Sequence, residues 1–219
     1  MPGLPASQYF DLNQPFRDLQ RGRPLREARG AQQGFAFDAV NARLFAAQLS
    51  PAAHGGSVGV EPEARAGRSA TSCAIDPVHE RVAVRRNRRG HIWYTVYDLS
   101  QAMVMLARFP QPALSDRPVT FLGYAIFGQY LYTLDRTERA RGSNIDSYVT
   151  RIDMNTGQVQ RRSRVLVAAS LIFREPGGMA IYRTRDGRLR LFIGFGSRES
   201  LDGPKRYTNL YYNDVLRAA

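Results

Sequence analysis

Two Glu-Pro pairs, Glu61-Pro62 and Glu175-Pro176, are the residues best placed for chemistry in this 219-residue chain. Carboxylates brought together by a fold hold a divalent cation or accept hydrogen bonds from a sugar, because they are hard oxygen ligands. The alternative is that each glutamate only precedes a proline-fixed bend and faces water. His54, His79 and His91 show no ligand spacing, and no order of Ser, His and Asp reads as a nucleophile elbow or a zincin helix. Cys73 stands alone, so an internal disulfide is excluded and a catalytic thiol has no partner pattern. No cofactor motif is present, and a metal, if any, is not specified.

The second chemical resource is arginine. The net charge is +12, and Lys205 is the only lysine. A planar guanidinium grips phosphate or carboxylate bidentately, so an arginine surface suits a polyanion, while a charged, soluble surface needs no partner at all. The arginines cluster at Arg21, Arg23, Arg26 and Arg29, at Arg85, Arg86, Arg88 and Arg89, and at Arg161, Arg162 and Arg164. The middle cluster falls between two strand-like runs with Asn87 and Gly90 inside it, which reads as a projecting loop tip beside Trp93. Loop tips on a rigid scaffold are where recognition residues concentrate. Tyr207, Tyr211 and Tyr212 offer further flat faces, although their spacing also fits alternation on a strand.

These residues must be positioned by repeated hairpins. The runs GFAFDAVNARLFAAQ at Gly34, SCAIDPVHERVAVRR at Ser72, GYAIFGQYLYTLD at Gly123 and GMAIYRTRDGRLRLFIGFG at Gly178 are copies of one pattern. In each, a short apolar strand centred on an alanine meets a turn and a second strand. Two copies continue into YTVYDLS (94–100) and YVTRIDMN (148–155), strands ending in an aspartate whose carboxylate can hold the next turn. A fourth strand follows, and copies recur about 40 to 55 residues apart, the length of a propeller blade. The expected fold is therefore all-β, a β-propeller of four-stranded blades forming one domain over 1–219. QYFDLN (8–13) matches the strand-ending element without a hairpin before it, so this amino-terminal strand is expected to complete the carboxy-terminal blade.

Bulk properties exclude several classes. Hydrophobic residues at 43% and aromatics at 11% describe a chain that folds. The longest apolar runs fall far short of the roughly 20 residues of a membrane span. The first ten residues lack the pattern of a classical secretory signal, so the sequence leaves the location open. No helix-turn-helix, zinc finger or RNA-binding strand motif supports nucleic acid as a partner.

The segments QYFDLNQPFRDL, QGFAFDAVNARLFAAQ, GGSVGVEPE, TSCAIDPVHERVAVR and REPGGMAIY, in that order, resemble the β-propeller family that joins teichoic acid biosynthesis protein C with receptor-binding proteins of phage tails and baseplates. The resemblance implies a five-bladed, non-catalytic propeller that contacts cell-wall polysaccharide or teichoic acid, in a homo-oligomer or a tail assembly; related sequences are also described as bacteriocin-like. The chain departs from it between Ser50 and Thr71, where about one blade is missing and Ser57 to Glu61 is left as an orphan inner strand. The ring is thus expected to be incomplete or smaller than five blades. Ligand binding is assigned to Arg85, Arg86, Arg88, Arg89, Glu61, Glu175 and Trp93. The competing expectation is a propeller hydrolase or lactonase with a metal held by Glu61 and Glu175 in the channel.

Overall fold

Alternation of apolar and polar residues governs which face of each strand is buried, and the computed structural model shows the result for residues 3–24, 31–38, 43–49, 69–137, 146–200 and 205–219. The strands are β1 (Tyr9–Phe10), β2 (Arg17–Pro24), β3 (Ala31–Asp38), β4 (Arg43–Leu49), β5 (Ser69–Asp76), β6 (Arg81–Arg88), β7 (His91–Asp98) and β8 (Val104–Pro110). They continue as β9 (Val119–Phe127), β10 (Tyr130–Thr137), β11 (Asp146–Asp153), β12 (Val159–Arg164), β13 (Glu175–Arg183), β14 (Leu189–Arg198), β15 (Arg206–Asn213) and β16 (Leu216–Arg217). No helix occurs among the described residues. The protein is all-β, with blade-type antiparallel sheets of the propeller kind.

Three sheets have four strands each among the described residues, in the orders β5-β6-β7-β8, β9-β10-β11-β12 and β13-β14-β15-β2; β3 pairs with β4, and β1 with β16. The inner strands neighbour one another in an arc: β3 lies against β13, β13 against β9, and β9 against β5. Glu61 and the segment from Ser57 lie outside the described residues. The fourth strand of the last sheet is β2, drawn from residues 17–24, while Tyr9 and Phe10 from the 8–13 segment pair with Arg217 and Leu216.

The blades pack face to face, as twisted sheets do when each hides one apolar surface. Ala83, Tyr94, Val96 and Phe109 of the β5–β8 sheet meet Tyr124, Ile126, Leu131 and Ile152 of the β9–β12 sheet. The opposite face of that sheet, with Ala125, Tyr132, Leu134 and Val149, meets Met179, Leu191, Ile193, Phe195 and Tyr211, sealed by Phe10, Leu12 and Phe16. Burial on both faces explains why six consecutive residues of β10, Tyr130 to Asp135, are buried, whereas β7 alternates.

One end of the β5–β8 and β9–β12 blades is closed by aspartates, and Asp11 makes the same turn after β1. Asp11, Asp98 and Asp153 accept the N–H of Asn13, Ser100 and Asn155 two residues on, the turn that their place at the strand end implies. The buried carboxylate of Asp76 also accepts from Val78 N–H at 2.9 Å and reaches the next blade, accepting Gly128 N–H at 2.7 Å. Gly128 has φ +58°, and a Cβ there would fall 1.9 Å from Ser7 Oγ, so only glycine fits.

Candidate functional site

Opposite the aspartate turns lies an arginine end. Antiparallel hairpins put the β6–β7 turn, the 111–118 connection and the starts of β11 and β13 at the far end of the strands, and contacts between sheets show that they share a direction. At this end Arg85 donates from Nε to Gln111 Oε1 at 3.2 Å and lies 3.8 Å over the Phe121 ring at the start of β9. From the next sheet, Arg174 donates to the Val165 and Val167 carbonyls at 2.7 and 3.0 Å. Arg136 on β10 stands 3.9 Å from Glu175 on β13.

The structure divides the central arginine cluster. β6 runs on to Arg88, and its partner β7 begins at His91, so the connection is only Arg89-Gly90 and the expected loop tip is the end of a paired ladder. Strand alternation then splits the residues between faces. Arg85 shares the inner face with Ala83 and is buried, its backbone N–H donating to Tyr124 Oη at 3.1 Å. Arg85 is therefore a packing residue, and its assignment to a projecting loop is corrected. Arg86, Arg88 and Arg89 are exposed.

Arg86 lies directly across the ladder from Trp93, the only tryptophan, which is 39% exposed. From the other side, the Arg108 guanidinium approaches to 5.2 Å from the Trp93 ring centroid. Cross-strand neighbours on one face lie about 5 Å apart, so a flat aromatic surface stands between two cations on the open side of the sheet. Arg108 had no sequence signal of its own, because its placement depends on the register of β7 against β8. A charge beside an aromatic face suits a ligand that combines an anion with an apolar ring face.

Stacking also accounts for the choice of arginine over lysine. Arg151 lies 3.7 Å from the Tyr9 ring centroid, Arg162 4.2 Å from Tyr148, Arg174 4.4 Å from Phe195 and Arg198 3.8 Å from Phe173. A planar cation packs flat in such places and a compact ammonium does not. Burial beside Phe195 draws the Arg174 pKa down to about 10. Part of the charge surplus is therefore structural.

Two hollows are present among the described residues, one at this end and one reaching toward the aspartate turns. A polar pocket of about 330 Å³ at the arginine end is bounded by Ser115, Asp116, Thr137, Tyr148 and Arg162. An open cleft of about 860 Å³ runs along the inner strands, walled by Ile75, Val78, Met179, Ile181 and Tyr182, with Arg183 and Arg185 at its rim. Glu175 opens β13 but faces Arg136, and Glu61 lies outside the described residues. Among the described residues no group of three or more His, Cys, Asp or Glu is placed to hold a metal ion. Among the described residues no helix is long and apolar enough to cross a membrane.

No protein-family model matches the chain, and no curated protein matches it in sequence. Among solved structures, the chain is similar to the tail fiber of Staphylococcus aureus phage P68, with a TM-score of 0.53 and 16% identity. The match covers 83% of this chain and 40% of the fiber, so the chain spans about two fifths of that protein's length. The structural neighbour is thus a phage tail fiber, and what the likeness carries is the fold of the sheets. It extends over most of the blades described above.

Proposed function

We propose that the chain is a non-catalytic recognition module for an anionic, sugar-containing polymer of a bacterial surface, of the teichoic acid kind, and that its arginine end does the binding. The observation that carries this reading is the exposed Trp93 face set between Arg86 and Arg108. A sugar ring packs its C–H face on an indole while flanking guanidiniums take phosphates bidentately, so one short surface matches the repeat of a phosphate-linked glycopolymer. Arg88 and Arg89, exposed at the turn beyond, extend the cationic track. The fold likeness to a tail fiber supports a place in a tail or other receptor-binding assembly.

Retention of the purified chain on immobilised wall polymer, with and without its phosphate groups, tests the reading. Retention at low salt that weakens steeply as salt rises and vanishes without phosphate is expected, because each phosphate contact releases counterions. Equal passage of the protein through both columns at low salt removes the proposal.

A further inference from the structure

The polar pocket differs from the surface around it in charge. The chain carries +12, yet the charged lining residues are Asp116 and Asp146 against Arg117 and Arg162, which balance. Arg162 is also engaged. Arg162 donates to both carboxylate oxygens of the fully buried Asp135, at 2.7 and 2.6 Å, and to Thr150 Oγ1 at 2.9 Å. The lining carboxylate of Asp146 accepts from Arg164, which stands outside the lining, at 2.5 Å. A free anion entering this pocket meets carboxylates as often as cations and gains no net attraction.

What the pocket does offer is a mixed set of partners for hydroxyl groups. Carboxylate, guanidinium and hydroxyl residues, Ser115 and Thr137 among them, line a hollow of about 330 Å³, at the small end of the ~300–1,000 Å³ range of ligand sites. Adjacent hydroxyls of a sugar donate to a carboxylate and accept from a guanidinium in the same plane, the complement of this lining. Tyr148, half-buried and stacked under Arg162 at 4.2 Å, supplies a rigid aromatic wall. The lip is set by Ser115 Oγ, which accepts the Arg117 N–H at 3.2 Å.

We infer that this pocket binds a single neutral sugar or polyol unit, apart from the Trp93 surface that takes the phosphates. The inference rests on the recognition reading and deepens it: one site holds the charge of the polymer and the other reads its uncharged residue.

The test is saturation-transfer NMR of the full chain with free glycerol, ribitol, glucose and N-acetylglucosamine, at low and high salt. At least one of the four should bind with no dependence on salt. Asp116→Ala, at an exposed lip position, should weaken that binding about tenfold, the loss expected for one hydrogen bond to a charged group, while Arg86→Glu with Arg88→Glu leaves it unchanged. Absence of binding by all four, or binding that Asp116→Ala leaves intact, overturns the inference. Retention on wall polymer without any free-sugar binding sinks this site alone; free-sugar binding without polymer retention sinks the recognition reading alone.

Discussion

The backbone N–H of Phe10 donates to the hydroxyl of Tyr132 at 2.9 Å, a bond between groups 122 positions apart in the chain. Both residues are fully buried, and their rings meet edge to face with centroids 5.8 Å apart. The amino-terminal segment is thereby fixed to the middle blade before it supplies β2 to the last one. Tyr132→Phe keeps the ring and leaves a buried N–H without its acceptor, so a loss of about 1–3 kcal/mol is expected. Denaturant titration of the two proteins measures it, and equal midpoints would mean that another group satisfies Phe10.

The four arginines of 85–89 should separate in a stability assay. Arg85→Ala removes a buried side chain stacked on Phe121 and should cost about 1–3 kcal/mol. Arg86→Glu and Arg88→Glu alter exposed positions and should each stay within about 0.5 kcal/mol of the parent. Thermal melts decide it; equal losses at 85 and 86 contradict the split of β6 into two faces.

Much of this architecture was legible because its signals are local. The alanine-centred hairpins and the strand-ending aspartates depend on neighbours within a few residues, and Asp98 with Ser100 or Asp153 with Asn155 makes the predicted turn. β2 was not legible. Its sequence, RDLQRGRP, has no apolar alternation, because it is an exposed edge strand guarded by charge and a terminal proline. The loop reading of Arg85–Arg89 failed for a related reason: charge density outweighed the alternation of Arg81, Ala83 and Arg85, which all face inward. Arg108 beside Trp93 and Asp135 beneath Arg162 are set by strand register, which one sequence does not print.

Alkaline stability follows from the buried tyrosines. Burial raises the pKa of Tyr124, Tyr130, Tyr132 and Tyr211 above the ordinary value. A raised native pKa means that only the unfolded chain releases these protons near pH ~10. Stability is therefore complete below that value and falls as pH climbs from there toward the native values. Tyrosinate absorbance should show some tyrosines ionising in one cooperative step together with loss of the circular dichroism of the sheets. Smooth ionisation of all 11 tyrosines near pH ~10, with the sheets intact, contradicts the burial that the fold assigns.

The sole tryptophan makes the proposed site its own reporter. Trp93 is 39% exposed with Arg108 at 5.2 Å, so a polymer packing on the indole must displace water from it and shift its emission to shorter wavelength. The shift should saturate with added wall polymer at low salt and fade as salt competes for the phosphates. Reversing Arg86 and Arg88 to glutamate replaces two attractions by two repulsions on the same face, and at low salt the half-saturating concentration should rise at least tenfold, equivalent to about 1.4 kcal/mol. Arg85→Lys acts as the control, because a buried cation under Phe121 cannot reach the polymer and should leave the binding curve where it was. A fluorescence change that survives the double reversal at full strength would place the polymer elsewhere, and unchanged emission in a protein that is retained on wall polymer would separate Trp93 from the binding surface.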